Sequence, residues 1–423
     1  MALCARALLR RGHPPKTPAK VFLVPGRIEV LGKHTDYAGG RSLLAAVERG
    51  FTLVSTERDQ PRVWVEALDL RDAVDFEIRP DLQPGIGWTN YPMTTVRRLA
   101  RNFSELRRGV DVALSSDLPP ASGMSSSSAL IIGIFLCLAA ANRLQDRPLF
   151  REAITDLDAL ASYLAAVESG QGFGRLAGDS GVGTHGGSED HTAILQARER
   201  TLLQYRFVPA ARERTLPMLS GYRFALAASG VQAEKTGAMR EHYNRASALA
   251  RALRDLWIRS GGAPAVSLAA ALRSSPDAAD RLRALLQSPE RLGFPPRDLA
   301  ARLDHFVLES EVLIPAAANA LAEGRLDRFG ELVDESQRAA ETLLGNQIPE
   351  TVELARAARR LGAVAASAFG AGYGGSVWAL VPETEVERFL SEWRSAYAAD
   401  FPGRAGKAVF FSSDAGPAAR RVA

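Results

Sequence analysis

Short apolar runs separated by glycine-rich turns make up most of the first half of the chain. Their length and their content of β-branched residues are typical of strands. The predicted strands are VFLV, IEVL, FTLVST, VWVEAL, VDFEI, DVALSS, TAILQA and LLQYRFVP. Apolar residues at helical spacing predict helices at 91–106, 129–144 and 151–168. The first half therefore combines strands and helices.

The second half opens with one strand pattern, GYRFALAAS, and then becomes mainly helical. Helical periodicity predicts helices at 233–259, 264–273, 277–287, 297–323, 325–345 and 349–361. Near the end, AVAASAF, SVWALVP and AVFFSS predict strands, and VERFLSEWRSAYAAD predicts a helix. This order predicts an α+β protein of two domains, 1–210 and 211–423, with a ligand-binding cleft between them.

The composition is that of a globular protein with a sizeable core. Of 423 residues, 46% are hydrophobic and 24% are charged, and the formal net charge is only +4. Because no block of like charges marks a binding tail, we expect no nucleic-acid partner. Cys4 and Cys137 are too few for a disulfide framework or a zinc site, which suits a reducing compartment.

The apolar segments predict no membrane partner. The longest apolar run, residues 129–141, is shorter than a bilayer span and has the length of a buried helix. The N-terminal segment contains arginines but no sustained apolar stretch, so we expect no secretory signal. We therefore expect a soluble cytoplasmic protein. The sequence leaves its oligomeric state open and is compatible with a monomer.

The first of three glycine-rich segments is PGRIEVLGKHTDYAGG, residues 25–40, which gathers five ionisable side chains. These are Arg27, Glu29, Lys33, His34 and Asp36. A P-loop requires four residues between its glycines and Ser or Thr after its Lys, and this segment has neither feature. Its glycines would let the backbone approach a ligand. Taken singly, each charged residue is better explained by a solvated β-turn.

The second segment, DLPPASGMSSSSAL, residues 117–130, connects a predicted strand to an apolar helix. Small residues that lead into a helix N-terminus form an anion site from backbone N–H groups. The hydroxyl groups of Ser125, Ser126 and Ser127 add hydrogen-bond donors and candidate Mg²⁺ ligands. Four serines exceed what helix capping requires, so the pattern favours phosphate binding over an N-cap cluster.

Two further glycine-rich stretches are less specific. The third segment, FGAGYGGSVWAL, residues 369–380, forms a turn between apolar strands, and a bulged β-hairpin would use the same residues. Residues 170–188 are too rich in glycine for a regular element. They predict either a flexible linker or a loop that shapes a ligand site.

Taken together, these segments resemble the three motifs of the GHMP kinase superfamily of small-molecule kinases. The first resembles the galactokinase-branch signature PGRVNLIGEHTDYNGG, the second the phosphate loop PxGxGLSSSAAL, and the third the motif GGGFGG. Three further stretches are similar to galactokinase segments: GWTNYPMTTV, GGSEDHTAIL and RFGELVDESQRAAETLLGNQIPETVELARAA. The resemblance covers nearly the whole chain.

This resemblance implies both a fold and a reaction. The implied fold is α+β, with a ribosomal-protein-S5-like N-terminal domain, a ferredoxin-like C-terminal domain and the active site in the cleft between them. The implied activity is that of an ATP-dependent sugar kinase that uses Mg²⁺ and phosphorylates the anomeric hydroxyl of galactose or a close relative. Its partners would be the sugar and ATP.

The resemblance also assigns residues to roles. Asp190 would orient or deprotonate the attacking hydroxyl, and Arg27 would lie between it and the γ-phosphate. We expect Asp190 at the start of the predicted strand TAILQA. The sugar would contact Lys33, His34, Asp36 and Gly187. ATP would contact Trp88, Ser122, Gly123, Ser125, Ser126, Ser127, Gly372 and Gly374, and the metal would be held by Ser127 and Glu168.

Departures from the galactokinase pattern concentrate near the expected sugar site. In the first signature, Glu29 stands where the pattern has Asn, and Lys33 where it has Glu. Beside Asp190, Glu189 and His191 stand in place of Met and Gln. These changes bear on the substrate more than on the reaction.

Two alternative functions follow. Lys33 can only donate hydrogen bonds, and Lys235 in the segment EKTGAMREHYN would add positive charge. A kinase for an acidic sugar, such as a uronic acid, is therefore one alternative. A non-catalytic sugar and ATP sensor is another, although the presence of Arg27, Asp190 and the serine loop argues for catalysis.

Overall fold

Two β-sheets organise the chain, and helices cover them. The computed structural model describes residues 1–231, 237–287 and 293–423. The strands of the first sheet are β1 (Ala19–Leu31), β2 (Arg41–Arg58), β3 (Arg62–Ala67), β4 (Asp72–Glu77), β5 (Gly109–Ser116), β6 (Thr201–Arg206), β7 (Ala211–Pro217) and β12 (Arg420–Arg421). Those of the second are β8 (Tyr222–Ala228), β9 (Ala365–Phe369), β10 (Ser376–Pro382) and β11 (Val409–Ser413).

The strand order brings both ends of the chain into the first sheet. Its order is β12-β1-β2-β5-β3-β4, with β6 paired to β2 and β7 to β6. Strands β3 and β5 run parallel, and the other neighbours are antiparallel. The second sheet has the order β11-β8-β10-β9 and is antiparallel throughout.

Helices of the first half pack mainly on one face of the first sheet. They are α1 (Ala2–Arg10), α2 (Asn90–Asn102), α3 (Ser126–Asn142), α4 (Pro148–Ala153), α5 (Leu157–Ser169) and α6 (Glu189–Gln196). The apolar run in α3 has almost no polar face, and the helix is buried nearly all round, as its sequence predicts. The buried helix α3 thus anchors the end of the segment 117–125, called the serine loop below, which leads into its N-terminus.

The second half is built mostly from helices. They are α7 (Gly237–Arg259), α8 (Leu268–Arg273), α9 (Ala278–Leu285), α10 (Pro296–Phe306), α11 (Ile314–Ala322), α12 (Leu326–Ala339), α13 (Pro349–Arg360), α14 (Val386–Asp400) and α15 (Pro402–Ala405). Two π-helical segments, Val307–Leu313 and Ala340–Leu344, interrupt the predicted helices 297–323 and 325–345. Short 3₁₀ turns lie at Asp36–Ala38, Gly87–Thr89, Leu144–Asp146 and Glu383–Glu385.

A shared hydrophobic core joins the two sheets. Ile28 and Leu43 from the first sheet pack in one cluster with Trp378 and Leu380 from the second and with residues of α11 and α12. Because apolar burial is the main stabilising term in folding, this shared cluster fixes the position of one sheet relative to the other. The loops at their junction are therefore held on a rigid frame.

Strand β1 is long but irregular, and the irregularity falls at the first signature. Its register with β2 shifts between Pro25 and Arg27 and again between Glu29 and Leu31. Bulges of this kind redirect side chains next to a site. The predicted strands VFLV and IEVL are thus one element that is bent around Arg27 and Glu29.

Most predicted elements are present, but one prediction was wrong. TAILQA is part of helix α6 and is not a strand, so Asp190 lies in the first turn of a helix. A short apolar run fits a buried helix as well as a strand, and the packing of α6 against α5 and β1 decides in favour of the helix. Helix α1 was not predicted.

The domain division at 210/211 stays a prediction. Strand β7, which starts at residue 211, pairs with β6 of the first sheet, and β12 returns to β1. In the described residues, no helix is long and apolar enough to cross a lipid bilayer.

Candidate active site

A cavity lies where β1 and the following turn meet α3, α5, α6, α7 and the glycine turn after β9. Its charged and aromatic lining residues are Arg27, Glu29, His34, Asp36, Tyr37, Glu168, Glu189, Asp190, His191 and Tyr243. Six of the residues that the sequence singles out line this cavity, namely Arg27, His34, Asp36, Glu168, Gly187 and Asp190, whereas the predicted ATP contacts do not.

Arg27 and Asp190 form an ion pair in this cavity. Arg27 Nε donates to Asp190 Oδ1 at 2.8 Å, and Arg27 is only 4% exposed. Burial by itself would lower the pKa of Arg27, but the neighbouring carboxylates, first of all Asp190, raise it overall. The guanidinium therefore stays charged, and the two residues predicted to be catalytic lie together.

The serine loop is tied to β1 and ends at a helix N-terminus. The backbone N of Arg27 donates to Met124 O at 3.2 Å, and Arg27 Nη1 donates to Gly123 O. Ser125 takes a left-handed conformation with φ +59° just before α3, and its buried Oγ has no hydrogen-bond partner among the described residues. Helix N-termini attract anions. The geometry therefore suits phosphate oxygens.

The third glycine segment packs directly against the serine loop. A Cβ on Gly370 would lie 2.8 Å from Gly123 O, and Ser376 Oγ donates to Ser122 O at 2.7 Å. Gly372 has φ +83°, and a Cβ there would lie 2.3 Å from Asn346 O. The segments that contain Ser125–Ser127 and Gly372–Gly374 therefore converge, as enclosure of one nucleotide requires.

The turn after β1 supplies the side chains predicted to bind sugar. His34 Nδ1 lies 2.8 Å from Tyr37 Oη, and its Nε2 lies 3.1 Å from Ala371 O. Asp36 Oδ2 accepts from the backbone N of Glu189 at 3.2 Å. A Cβ on Gly187 would lie 2.5 Å from that same Asp36 oxygen, so only glycine fits there.

The long helical segment behind this turn holds it in place. Gly32 N donates to Glu309 Oε1 at 2.8 Å, and Arg41 N donates to Ser310 Oγ at 3.0 Å, both acceptors lying in the first π-helical segment. Arg302 of α10 is buried and donates to His34 O. The helices of the second half therefore fix the position of His34 and Asp36.

Lys33 is located away from the predicted sugar contacts. Its side chain is fully buried, and Nζ donates to Ser367 Oγ at 2.8 Å and lies 3.3 Å from Ser336 Oγ. Lys33 is not one of the residues that line the cavity. Lys235, the other predicted source of positive charge, is outside the described residues.

Glu168, at the end of α5, lies beside the serine loop. Ser127 Oγ donates to Glu168 Oε1 at 3.2 Å, and Ser128 Oγ donates to Oε2 at 2.8 Å. His191 Nε2 lies 3.3 Å from Glu168 Oε2. The described residues contain no cluster of three or more His, Cys, Asp or Glu side chains that could hold a metal by themselves.

Trp88 is part of a short turn before α2. Its Nε1 donates to Asp72 Oδ2 at 2.8 Å, and its ring packs against the first hydrophobic core. Ile86, two residues earlier, is 91% exposed. Trp88 is thus half-buried and does not line the cavity, and its predicted contact with adenine stays a prediction.

The glycine-rich segment 170–188 is a site-shaping loop and not a linker. From α2, Arg97 Nε donates to Asp179 Oδ2 at 2.7 Å, and Arg98 donates to Gln171 O. From α7, Asn244 bonds to both His185 N and Gly183 O. These ties hold the part of the loop that lines the cavity next to Asp190.

Sequence reasoning gave no role to five of the charged and aromatic cavity residues, namely Glu29, Tyr37, Glu189, His191 and Tyr243. Tyr243 of α7 packs its ring 5.2 Å from that of His34, and burial together with Asp36 raises the pKa of its hydroxyl. Glu29 and Glu189 were noted only as departures from a pattern. The carboxylate character of those two positions was a usable signal, whereas nothing in the helical pattern around Tyr243 pointed to the cavity.

Known families match three parts of the chain. The GHMP kinases N terminal domain matches residues 90–174, and the GHMP kinases C terminal family matches residues 317–399. The galactokinase galactose-binding signature matches residues 12–56, which include the turn with His34 and Asp36.

Relatives and a solved structure match over nearly the full length. A galactokinase of Chloroflexus aggregans is 29% identical over 90% of this chain and 89% of its own. One of Exiguobacterium sibiricum is 27% identical over 95% and 93%. The crystal structure of Lactococcus lactis galactokinase complexed with galactose superimposes with a TM-score of 0.81 at 21% identity, covering 100% of this chain and 99% of that one.

The structural likeness gives the chain the two-domain GHMP kinase fold, and the matched motifs meet at one cavity in it. Because the family matches and the relatives agree along the whole chain, the protein belongs to the GHMP kinase superfamily as a galactokinase-like member.

Proposed function

We propose that the protein is an ATP-dependent sugar kinase that transfers the γ-phosphoryl group of ATP to the anomeric hydroxyl of galactose or a close relative. The observation that carries the proposal is the buried Arg27–Asp190 ion pair, which lies between the serine loop and the turn with His34 and Asp36. The cavity thus offers an acid–base group and sugar-binding side chains, and the serine loop that adjoins it at Arg27 offers an anion site.

In the proposed reaction, the oxygen of the sugar hydroxyl attacks the γ-phosphorus while Asp190 takes the proton of that hydroxyl. The new oxygen–phosphorus bond forms while the bond to ADP breaks. Phosphoryl transfer depends mainly on positioning and on positive charge near the moving group. Arg27 supplies that charge, and its planar guanidinium can contact Asp190 and a phosphate oxygen together.

The remaining predicted contacts divide between the two substrates. His34, Asp36 and Gly187 would hold sugar hydroxyls. Ser122, Gly123, Ser125 and Ser126, with Gly372 and Gly374, would hold the phosphates of ATP, and Trp88 the adenine. An enzyme that consumes ATP acts where ATP is available, which supports the cytoplasmic location expected from the sequence.

Ser127 and Glu168 fit a magnesium ion that arrives with ATP. Both are oxygen donors, they lie 3.2 Å apart, and Mg²⁺ usually takes one or two protein oxygens and completes its shell with water and phosphate. When bound, the ion would neutralise charge on the phosphates. Its protein ligands would be Ser127 and Glu168.

The carboxylates of the cavity bear on the choice of sugar. Glu29, Asp36, Glu168, Glu189 and Asp190 line it, whereas Lys33 points to serines elsewhere. A negatively charged acceptor would meet like charge there, which supports a neutral sugar over a uronic acid. The intact Arg27–Asp190 pair supports an enzyme over a sensor.

The direct test is ATP turnover with a panel of sugars. We expect galactose to be phosphorylated, with N-acetylgalactosamine, arabinose and galacturonate slower. Preferential turnover of galacturonate would replace galactose with the acidic alternative. Binding of galactose and ATP without any turnover would support the sensor.

A further inference from the structure

Two buried glutamates lie next to the ion pair at the positions where the galactokinase signatures have Asn and Met. Glu29 is on β1, two residues after Arg27, and Glu189 opens α6, one residue before Asp190. Their side chains are 3% and 4% exposed, both line the cavity, and the two carboxyl groups interact with each other. Residues far apart in sequence therefore form one carboxyl pair.

Each glutamate has a defined environment. Ser42 Oγ donates to Glu189 Oε2 at 2.6 Å, and Glu189 Oε1 lies 3.9 Å from Arg27 Nε. Glu29 Oε1 has no hydrogen-bond partner among the described residues. The other charged groups that face the pair are Lys33, Asp36 and Asp190. The remaining titratable residues of the cavity wall are His34, Tyr37, Glu168, His191 and Tyr243.

Two carboxyl groups in contact and out of water do not both ionise, because their charges repel and neither is solvated. Burial raises the pKa of Glu29 to about 7, and burial together with Glu29 and Asp36 raises the pKa of Glu189 well above its usual range. The pair therefore holds one shared proton near neutral pH.

We propose that Glu29 and Glu189 form a proton-sharing pair that positions Arg27 against Asp190, so that catalysis slows when the pair loses its proton. With the proton present, Arg27 Nε faces one full carboxylate, that of Asp190. Loss of the proton adds a second full charge within 3.9 Å of Arg27 Nε and draws the guanidinium away from Asp190. Both glutamates are positioning residues, since they act through Arg27.

The test is the pH dependence of kcat and kcat/KM for galactose across about pH 5 to 9. The wild-type rate should fall at high pH by about tenfold per unit once the pair is ionised. This fall is the alkaline limb of the pH profile. The double variant Glu29→Asn, Glu189→Met removes both carboxyl groups and should lose the alkaline limb. Glu189→Gln keeps the shape and should also lose the limb or move it to lower pH, because an amide can donate to Glu29 without a shared proton.

Glu309→Gln is the matched control, since Glu309 is equally buried but lies behind Gly32 and outside the pair. It should leave the limb at its wild-type pH, whatever its overall rate. A merely structural role for Glu29 and Glu189 would lower the rate equally at every pH. A limb that persists unmoved in both pair variants overturns the proposal.

A second measurement does not depend on the proposed kinase function. Infrared spectroscopy of the ligand-free protein just below neutral pH should show the band of a protonated carboxyl group, which the double variant loses and Glu309→Gln keeps. Absence of that band from the wild type, or its survival in the double variant, overturns the pair. If the wild type does not phosphorylate galactose, the proposed function is wrong. The infrared result would still test whether Glu29 and Glu189 share a proton.

Discussion

The two ends of the candidate active site are built from different kinds of chemical group. The phosphate end consists of backbone groups and small hydroxyl side chains, in the serine loop and the glycine segment that packs on it. The sugar end consists of charged side chains that come from separate elements, such as Glu29 of β1, Asp36 of the following turn and Glu189 of α6. In the proposed function, the first end would recognise an anion by backbone geometry, whereas the second would recognise its ligand by side-chain chemistry.

This difference explains where the chain departs from the galactokinase pattern. A site made of backbone N–H groups tolerates few changes, because glycines such as Gly370 and Gly372 have no space for a Cβ. Side chains at the sugar end are not restricted in this way, and Glu29 and Glu189 both depart from the pattern there. We therefore expect substitutions at the sugar end to change substrate choice and pH dependence. Substitutions where the two ends meet should change the turnover rate.

The largest effect is expected where the two ends meet, at Asp190. Asp190→Asn removes the group that takes the proton, so kcat should fall about 10²–10⁴-fold. Folding and ATP binding should persist, because the amide can still accept from Arg27. Measured turnover together with ATP affinity checks this, and near-wild-type kcat would eliminate Asp190 as an essential group.

Arg27 should come next, since it joins both ends through Asp190 and the carbonyl of Gly123. Arg27→Ala should lower kcat about 10²–10³-fold, the usual loss for one donor that stabilises developing charge. Arg27→Lys keeps the charge but lacks the planar fork, so it should recover only part of the rate. Full recovery by lysine would reduce the role of Arg27 to charge alone.

Gly187→Ala tests the sugar end without changing any charge. The added methyl group would meet Asp36 Oδ2 and displace that side chain. We expect KM for galactose to rise by about tenfold or more, with KM for ATP nearly unchanged, because small misplacements of binding groups are costly. Gly172→Ala is the matched control, since it lies in the same loop, has no left-handed backbone, and its Cβ would have only ordinary contacts, the nearest at 3.6 Å. An equal rise in both KM values would contradict a separate sugar end.

The sequence predicted the local elements of the site better than the tertiary contacts within it, and the reason is physical. The serine loop and the third glycine segment are contiguous motifs, so their conformations can be inferred locally. Contacts between Glu29 and Glu189, or between Tyr243 and His34, depend on tertiary packing that periodicity does not encode. Most strands and helices were predicted for the same local reason, and α6 was not, because TAILQA has no period that separates helix from strand.

Trp88 offers a smaller test at the phosphate end. If its ring stacks on adenine, Trp88→Ala should raise KM for ATP by about two- to tenfold, the range that an aromatic pair contributes. KM for galactose should change less. Trp88→Phe retains a ring while losing the hydrogen bond to Asp72, so it should retain most of the affinity. Unchanged ATP affinity in Trp88→Ala, with lower thermal stability, would make Trp88 a core aromatic only.

Lys33 should have the smallest effect on substrate choice, although it departs from the signature beside His34. Its ammonium group bonds to Ser336 and Ser367, away from the cavity, so it does not contact the sugar. In Lys33→Met, the relative kcat/KM values of galactose, arabinose, N-acetylgalactosamine and galacturonate should stay within about twofold of wild type, the effect of a substitution without ligand contact. All four values should fall together, because Ser336 and Ser367 lose a buried partner. Asp36→Asn is the positive control and should change the ranking. A selective gain or loss of galacturonate in Lys33→Met would place Lys33 at the sugar end after all.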